Sequence, residues 1–305
     1  MYYYSLNEYL KSTFGEKVYK ISLNGKMTCP NRDGKLGTRG CIFCSRGGSG
    51  EFSADADLSV TEQIEQAKRK IQSKTNCKKF IAYFQPFTNT YADVDYLKKL
   101  YYEAIAPEEI VALSIATRPD CLEKDVLSLL REINSIKPVW IELGLQSIKK
   151  QTSDYIRRGY ELDVYDKAVK ALHSIGVKVI THIILGLPNE TKQDMLNSVI
   201  YAGKRSDGIK LQLLHILKNT DLQTDYEKGL VKTLSLDEYI DILCDCIEAL
   251  PPQTVIHRLT GDGDKKLLVA PLWSADKKHV LNSINKEFSA RNITQGRLYD
   301  KSQDF

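Results

Sequence analysis

VKVITHIILGLPNE runs from Val177 to Glu190. From Val177 to Leu185 apolar residues fall on both faces of what would be a pleated strand. A strand half open to water alternates apolar and polar side chains. One that is apolar on both faces is covered on both, as in a parallel sheet. Gly186 and Pro188 stop the run. Tyr165 to Ile175, just before it, has the apolar spacing of a helix. Helix, buried strand, turn: this is one βα repeat.

The pattern extends in both directions. Strand-like runs lie at Val18–Leu23, Phe80–Phe84, Ile110–Ala116, Val139–Leu145 and Ile209–Leu217, with a short last one at Val255–Arg258. Helical spacing lies between them, at Thr61–Ser73, Asp93–Ile105, Glu123–Ile136, Thr191–Ala202 and Leu236–Leu250. The fold class is therefore α/β. Six repeats predict a partial (β/α)6 barrel of TIM type over residues 18–262, with extensions at 1–17 and 263–305. A doubly wound open sheet is the alternative.

The chain has 305 residues, a net charge of +4 and 27% charged residues, ordinary for one soluble barrel. The mild basic balance permits an anionic partner without pointing to nucleic acid. No apolar run reaches the roughly 20 residues of a membrane span. The first residues lack the basic and apolar regions of a secretion signal. Seven cysteines at irregular spacing do not read as a disulfide framework. A reducing, cytoplasmic setting is expected.

In either fold, ligands bind beyond the C-terminal ends of the strands. Polar and small residues recur there. They include Gln85 and Asn89 after the second strand, Arg118 and Asp120 after the third, and Glu142 and Gln146 in and after the fourth. Gly186 and Pro188 follow the fifth, His215 lies in the sixth, and Arg258 and Asp262 close the series. Each has an ordinary reading as a turn or cap residue. Seven such loops on one rim make a binding face.

The loop after the first strand is the richest: TCPNRDGKLGTRGCIFCSRGG, Thr28 to Gly48. It carries Cys29, Cys41 and Cys44 in a C-x11-C-x2-C pattern, with glycines at 34, 37, 40, 47 and 48. Structural zinc wants four ligands, usually from paired knuckles. Only one knuckle is present, and Cys121 is the only other thiol on the right rim. An iron–sulfur cluster held by three thiolates keeps one iron open for a ligand. Glycines let the backbone wrap closely around such a bulky group.

At these residues the chain resembles the radical S-adenosylmethionine (SAM) superfamily. The segments that carry the resemblance are CPNRDGKLGTRGCIFC, YFQPFTNTYA, LSIATRPDC, WIELGLQS, HIILGLPNET, GIKLQLLHILKNT and RLTGDG. The eleven residues between the first two cysteines depart from the usual C-x3-C-x2-C. They point to the YtqA/YhcC-type group and, more distantly, to the radical SAM domain of the elongator catalytic subunit. Too little chain follows residue 262 to match that subunit's acetyltransferase domain.

The resemblance implies a [4Fe–4S] cluster on Cys29, Cys41 and Cys44, with SAM on the open iron. Reductive cleavage of SAM would give a 5′-deoxyadenosyl radical, and a flavodoxin or ferredoxin would supply the electron. Gln85, Asn89, Glu142, Gln146, Arg158, Gly186 and Pro188 would contact SAM. Arg118, Asp120, His215, Arg258 and Asp262 would face the substrate. By the elongator analogy the substrate is tRNA, modified at the 5-side chain of its wobble uridine, for example from carboxymethylaminomethyl toward aminomethyl. A radical SAM enzyme for a small molecule, peptide or protein is the second reading. A zinc-stapled RNA-binding protein is the non-enzymatic one. Arg32, Asp33, Lys35 and Arg39, inside the long cysteine spacing, are expected to line the substrate mouth.

Overall fold

The computed structural model describes residues 2–261 and 263–300. The barrel begins with α1 (Leu6–Phe14), β1 (Val18–Leu23), α2 (Val60–Gln72), β2 (Lys79–Phe84), α3 (Val94–Ile105) and β3 (Ile110–Thr117). It continues with α4 (Lys124–Asn134), β4 (Val139–Gln146), α5 (Lys150–Tyr155), α6 (Leu162–Ser174), β5 (Lys178–Leu185), α7 (Lys192–Gly203) and β6 (Gly208–Leu213). Then come β7 (Ile216–Leu217), α8 (Asp221–Glu227), α9 (Leu236–Ala249), β8 (Val255–Arg258), β9 (Leu268–Ala270) and α10 (Lys277–Ala290).

Seven strands form one sheet in the order β1-β2-β3-β4-β5-β6-β8, all parallel. Spatial order follows chain order, as in a TIM barrel. A doubly wound sheet would reverse at a switch point. β1 and β8 remain as edges, so the barrel is incomplete. No helix among the described residues is long and apolar enough to cross a membrane.

The interior is layered by the period-two alternation of each strand. Val18, Ile81, Ala112, Trp140 and Ile180 form a bottom apolar layer. Helix α1 plugs it with Leu6, Tyr9, Leu10 and Phe14. The helix starts in a capping box between Ser5 and Glu8 and ends at Gly15 in the left-handed conformation. It packs on both edge strands, and Ser5 bridges to Ile256 of β8. The N-terminal extension thus closes the barrel floor. Tyr2 and Tyr3 are packed edge-on against Phe288 of α10.

One strand differs from expectation. Ile209–Leu217 does not run through as a single element. β6 ends at Leu213, and Ile216–Leu217 leaves the barrel to pair antiparallel with β9. His215 therefore lies in the break, not in a barrel strand. A C-terminal hairpin partner for the second half was not visible in the local pattern.

Candidate active site

Above the bottom layer the strands turn polar. Lys20, Tyr83, Ser114, Glu142, His182 and Lys210 come from β1, β2, β3, β4, β5 and β6 and meet at the barrel axis. Glu142 is the hub and is 1% exposed. Its Oε1 accepts from the Lys20 ammonium and, at 2.8 Å, from the Ser114 hydroxyl. Its Oε2 accepts from the Lys210 ammonium and, at 2.8 Å, from His182 Nε2. A carboxylate offers about four lone-pair directions, and all are taken. A ribose contact at Glu142 would displace one of these partners.

Burial alone would raise the Glu142 carboxyl, yet Lys20, Lys210 and His182 hold it well below the usual range. Burial, with Lys210 beside it, pushes His182 down to about 4. The neutral ring then donates from Nε2. Burial lowers Lys210 to about 7 against the pull of Glu142, with Lys20 and Arg258 adding repulsion.

Over this layer lies a chamber of about 190 Å³. Cys29, Cys41 and Cys44 form one wall; Gln85, Gln146, Arg158, Tyr160 and Arg258 contribute to the others. The cysteine loop is folded on itself: Arg32 N–H donates to Cys29 O at 2.8 Å, Gly40 N–H to Asn31 O at 2.7 Å and Cys44 N–H to Cys41 O at 3.0 Å. Gly40 has φ 76°, and a Cβ there would stand 2.9 Å from Arg32 Nε. At Gly48, φ 61°, a Cβ would press to 2.5 Å from the Phe87 ring. Neither position tolerates a side chain.

Arg32 lines the chamber, and it has a structural task as well. Its guanidinium donates to the carbonyls of Cys44 and Ser45 and lies over Phe87, so it braces the loop from within. Arg39 pairs with Asp221, Lys35 lies over Tyr91, and Asp33 Oδ1 accepts from Lys35 N–H.

The other site candidates divide cleanly. Gln85 lines the chamber and is held by Ser22 Oγ–H and Ser49 O at 2.8 and 2.7 Å. Gln146, at φ 68°, lines the chamber and has a buried Oε1 with no hydrogen-bond partner among the described residues. Left-handed backbone at a non-glycine in a ligand wall is stored strain of the kind found at functional sites. Arg158 reaches the chamber, although its guanidinium also ties Leu145, Ser147 and Tyr160 carbonyls together. Arg118 lies in the wall near Cys29 and Cys41, clamped bidentately by Asp120 at 2.9 and 2.8 Å.

Five of the candidate residues do not reach the chamber. Asn89 is fully buried and latches Phe84, Pro86 and Ala116 carbonyls. Asp120 holds Arg118 from behind. Gly186, at φ 90°, and Pro188 pack into the turn beyond β5, where a Cβ on Gly186 would meet Leu234 at 3.0 Å. His215 is packed under Gly261 and Gly263, whose absent Cβ atoms would lie 2.4 and 2.7 Å from its ring. Asp262 lies outside the described residues. Sequence reading passed over Lys20 and Lys210 as members of the polar layer, and took His182, mid-strand among apolar residues, as structural or adenine-side. The signal was present: a lone charged residue inside an apolar strand must find a partner.

The thiols suit a cluster. Burial, then the neighbouring Cys44 thiol, pushes Cys41 up to about 11; burial likewise raises Cys44. Crowded buried thiols stay protonated until a cation draws the protons off. Among the described residues no group of three or more His, Cys, Asp and Glu side chains is spaced for one metal ion. A cluster spans a wider gap than an ion, and Asn31 Nδ2 already points at Cys41 Sγ from 3.3 Å, the kind of donor that tunes cluster sulfur. The unpaired Gln146 Oε1 suits a ligand that brings an N–H or O–H, as SAM does.

Comparison with known proteins agrees. The model of the radical SAM superfamily matches residues 35–201, and that of the radical SAM C-terminal domain matches 206–290. YtqA of Bacillus subtilis is 41% identical over 303 residues, covering 99% of this chain and 94% of its own. The tRNA uridine(34) acetyltransferase of Methanocaldococcus jannaschii is 26% identical over 162 residues, 52% of this chain and 29% of that protein. Among solved structures, the archaeal Elp3 of Methanocaldococcus infernus superposes with a TM-score of 0.66 at 17% identity, over 91% of this chain and 64% of that one. With its incomplete parallel barrel and a three-cysteine loop at the strand ends, the chain belongs to the radical SAM superfamily, among the relatives of YtqA.

Proposed function

We propose that this radical SAM enzyme acts on tRNA and modifies the 5-side chain of the wobble uridine, carboxymethylaminomethyl toward aminomethyl being the example. The observation that carries the reading is the match to a protein named for uridine 34. It spans 162 residues, 52% of this chain.

In this reading Cys29, Cys41 and Cys44 hold the [4Fe–4S] cluster. When bound, the cluster and SAM supply one-electron cleavage of the sulfonium and the hydrogen-abstracting radical that follows. A flavodoxin or ferredoxin is the electron donor. The chain's own groups position and exclude. Gln85, Gln146 and Arg158 line the space for SAM. Arg118, fixed by Asp120, keeps positive charge beside the thiolates. Tyr160 closes the wall, its ring 4.6 Å from the Arg158 guanidinium and its hydroxyl on Gly144 O.

The test is a nucleoside profile. Deleting the gene should change the wobble-uridine nucleosides of bulk tRNA in mass spectrometry, with the carboxymethylaminomethyl form accumulating. An unchanged profile sinks the tRNA reading and directs the search to small molecules, peptides and proteins.

A second expectation concerns Asn31. Its amide also donates to Arg157 O at 2.7 Å, which fixes its aim at Cys41. A donor to sulfur favours the more negative, reduced state. Asn31→Ala should lower the cluster's midpoint potential by about 40 mV, the equivalent of roughly 1 kcal/mol for one electron. An EPR-monitored redox titration measures it, and an unshifted potential would refute the role.

A further inference from the structure

The chamber is small for what has to meet in it. It measures about 190 Å³, whereas pockets that enclose one drug-sized ligand run to about 300–1,000 Å³. A cofactor and the reacting end of a substrate fill it, so the rest of the substrate lies elsewhere. A groove of about 740 Å³ runs along the open seam between β1 and β8. Tyr83, Gln85, Lys210 and Arg258 line both spaces, and the groove meets the chamber at these side chains. Its other walls are β1 from Val18 to Ser22, the start of α1 and the outer face of α2.

An edge strand invites a peptide as an added strand. The upper part of this edge is already taken. Ala54 N–H donates to Ser22 O at 3.2 Å. The Ser22 hydroxyl donates to Gln85 Oε1 at 2.8 Å and lies 2.9 Å from that of Ser53. Only Val18 to Lys20 remain below, at the lower limit of a strand.

Two side chains fit a different guest. Phe52 lines the groove and is 57% exposed. A single exposed apolar side chain is ordinary, but this ring stands on a groove that adjoins the three thiols. Lys70, on α2, also lines it. It is exposed, and its ammonium has no ion-pair partner among the described residues. Lys20 and Lys210, by contrast, are engaged by Glu142. The carboxylate in the lining, Asp55, is turned to its own loop, where Oδ1 accepts from Asp57 N–H at 3.0 Å. An open aromatic face and an exposed ammonium on one polar groove are what a single nucleic-acid strand uses: one stacks a base, the other meets a phosphate. A duplex is too bulky for this volume, so the base must come extruded or from a loop.

We propose that the seam groove takes an extruded nucleotide of single-stranded RNA. The Phe52 ring is the platform on which a base stacks, and the Lys70 ammonium holds a backbone phosphate. The reacting base passes Tyr83 toward the chamber. That the strand is an anticodon loop rests on the wobble-uridine reading.

Reconstituted holoenzyme is titrated into fluorescein-labelled pentauridylate, and binding is read by fluorescence anisotropy. Phe52→Ala should weaken binding at least about fivefold, the lower bound for losing one stacked base. Phe52→Trp should restore it. Lys70→Gln should flatten the slope of log affinity against log salt by about 0.7, the share of one phosphate on a single strand. Both positions are exposed, and far-UV circular dichroism should match the parent in all three variants. Pentaglutamate, an anion without bases, should not displace the RNA. No binding by the parent, undiminished binding in Phe52→Ala, or displacement by pentaglutamate overturns the groove. The deletion profile of tRNA nucleosides tests the other reading separately. Binding that depends on Phe52, with that profile unchanged, upholds the groove and fails the wobble-uridine reading. A changed profile with binding indifferent to Phe52 does the reverse.

Discussion

Cys41→Ala should leave the anaerobically reconstituted protein folded, colourless and without SAM cleavage. Iron per chain should fall from about four, the content of a [4Fe–4S] cluster, toward zero. The reason is the donor set. Cys29, Cys41 and Cys44 all line one chamber, and removing one leaves two thiols for four irons. The fold has little at stake. Cys41 sits in a loop, and its side-chain contacts are Asn31 and the Arg157 carbonyl. Far-UV circular dichroism should therefore match the parent. Cys121→Ala is the sharp control. Cys121 stands on the same rim, but burial, with Asp120 beside it, pushes its thiol up to about 12, and it does not line the chamber. That variant should keep its iron and colour. Full iron in Cys41→Ala, or loss of iron in Cys121→Ala, would overturn the three-thiol assignment.

The fold was legible where the local pattern and the burial coincide. Val18–Leu23 and Val255–Arg258 match their strands residue for residue, because apolar runs bounded by turns have one reading. The barrel floor was not legible. Helix α1 buries only Leu10 outright, so its stripe is too thin to show a periodicity. Its capping box, Ser5 with Glu8, was the available signal. The split of Ile209–Leu217 is set by pairing with Leu268–Ala270, a partner more than fifty residues on that no local window contains. Within the site, cysteine spacing and rim position pointed to a loop whose three thiols line one chamber. They could not tell which rim residues face inward. Asn89 and Gln85 are four apart on one loop, yet one latches backbone and the other lines the chamber. The charged layer stayed hidden because a lone charge in an apolar strand calls for a partner without saying which; only the parallel register brings these groups to one level.

Glu142→Gln should be among the most destabilising single substitutions in the chain, by about 3–5 kcal/mol near neutral pH. The amide keeps the shape but removes the carboxylate that pairs with both Lys20 and Lys210. Two buried ammoniums then repel each other without a counter-charge. The pH dependence follows from the two shifts. Glu142 is held below its ordinary range, so its contribution is present above about pH 4.3 and is lost as the pH falls through the folded value. Lys210 is lowered to about 7, whereas an unfolded lysine keeps its proton to about 10.4. Between these values the unfolded state binds more protons, and stability rises with pH. The parent should accordingly gain stability from this group between pH 7 and pH 10. In Glu142→Gln the lysine is easier still to deprotonate, and once it is neutral the missing carboxylate matters less. The penalty should be largest near pH 5, shrink as the pH rises toward 7, and hold level from there to pH 9.5 in urea unfolding curves. Adding Lys210→Met to Glu142→Gln should recover part of the loss, a coupling that a double-mutant cycle reads directly. A penalty under about 1 kcal/mol at pH 6.5, or one that grows as the pH rises, would show that the layer is not held by charge.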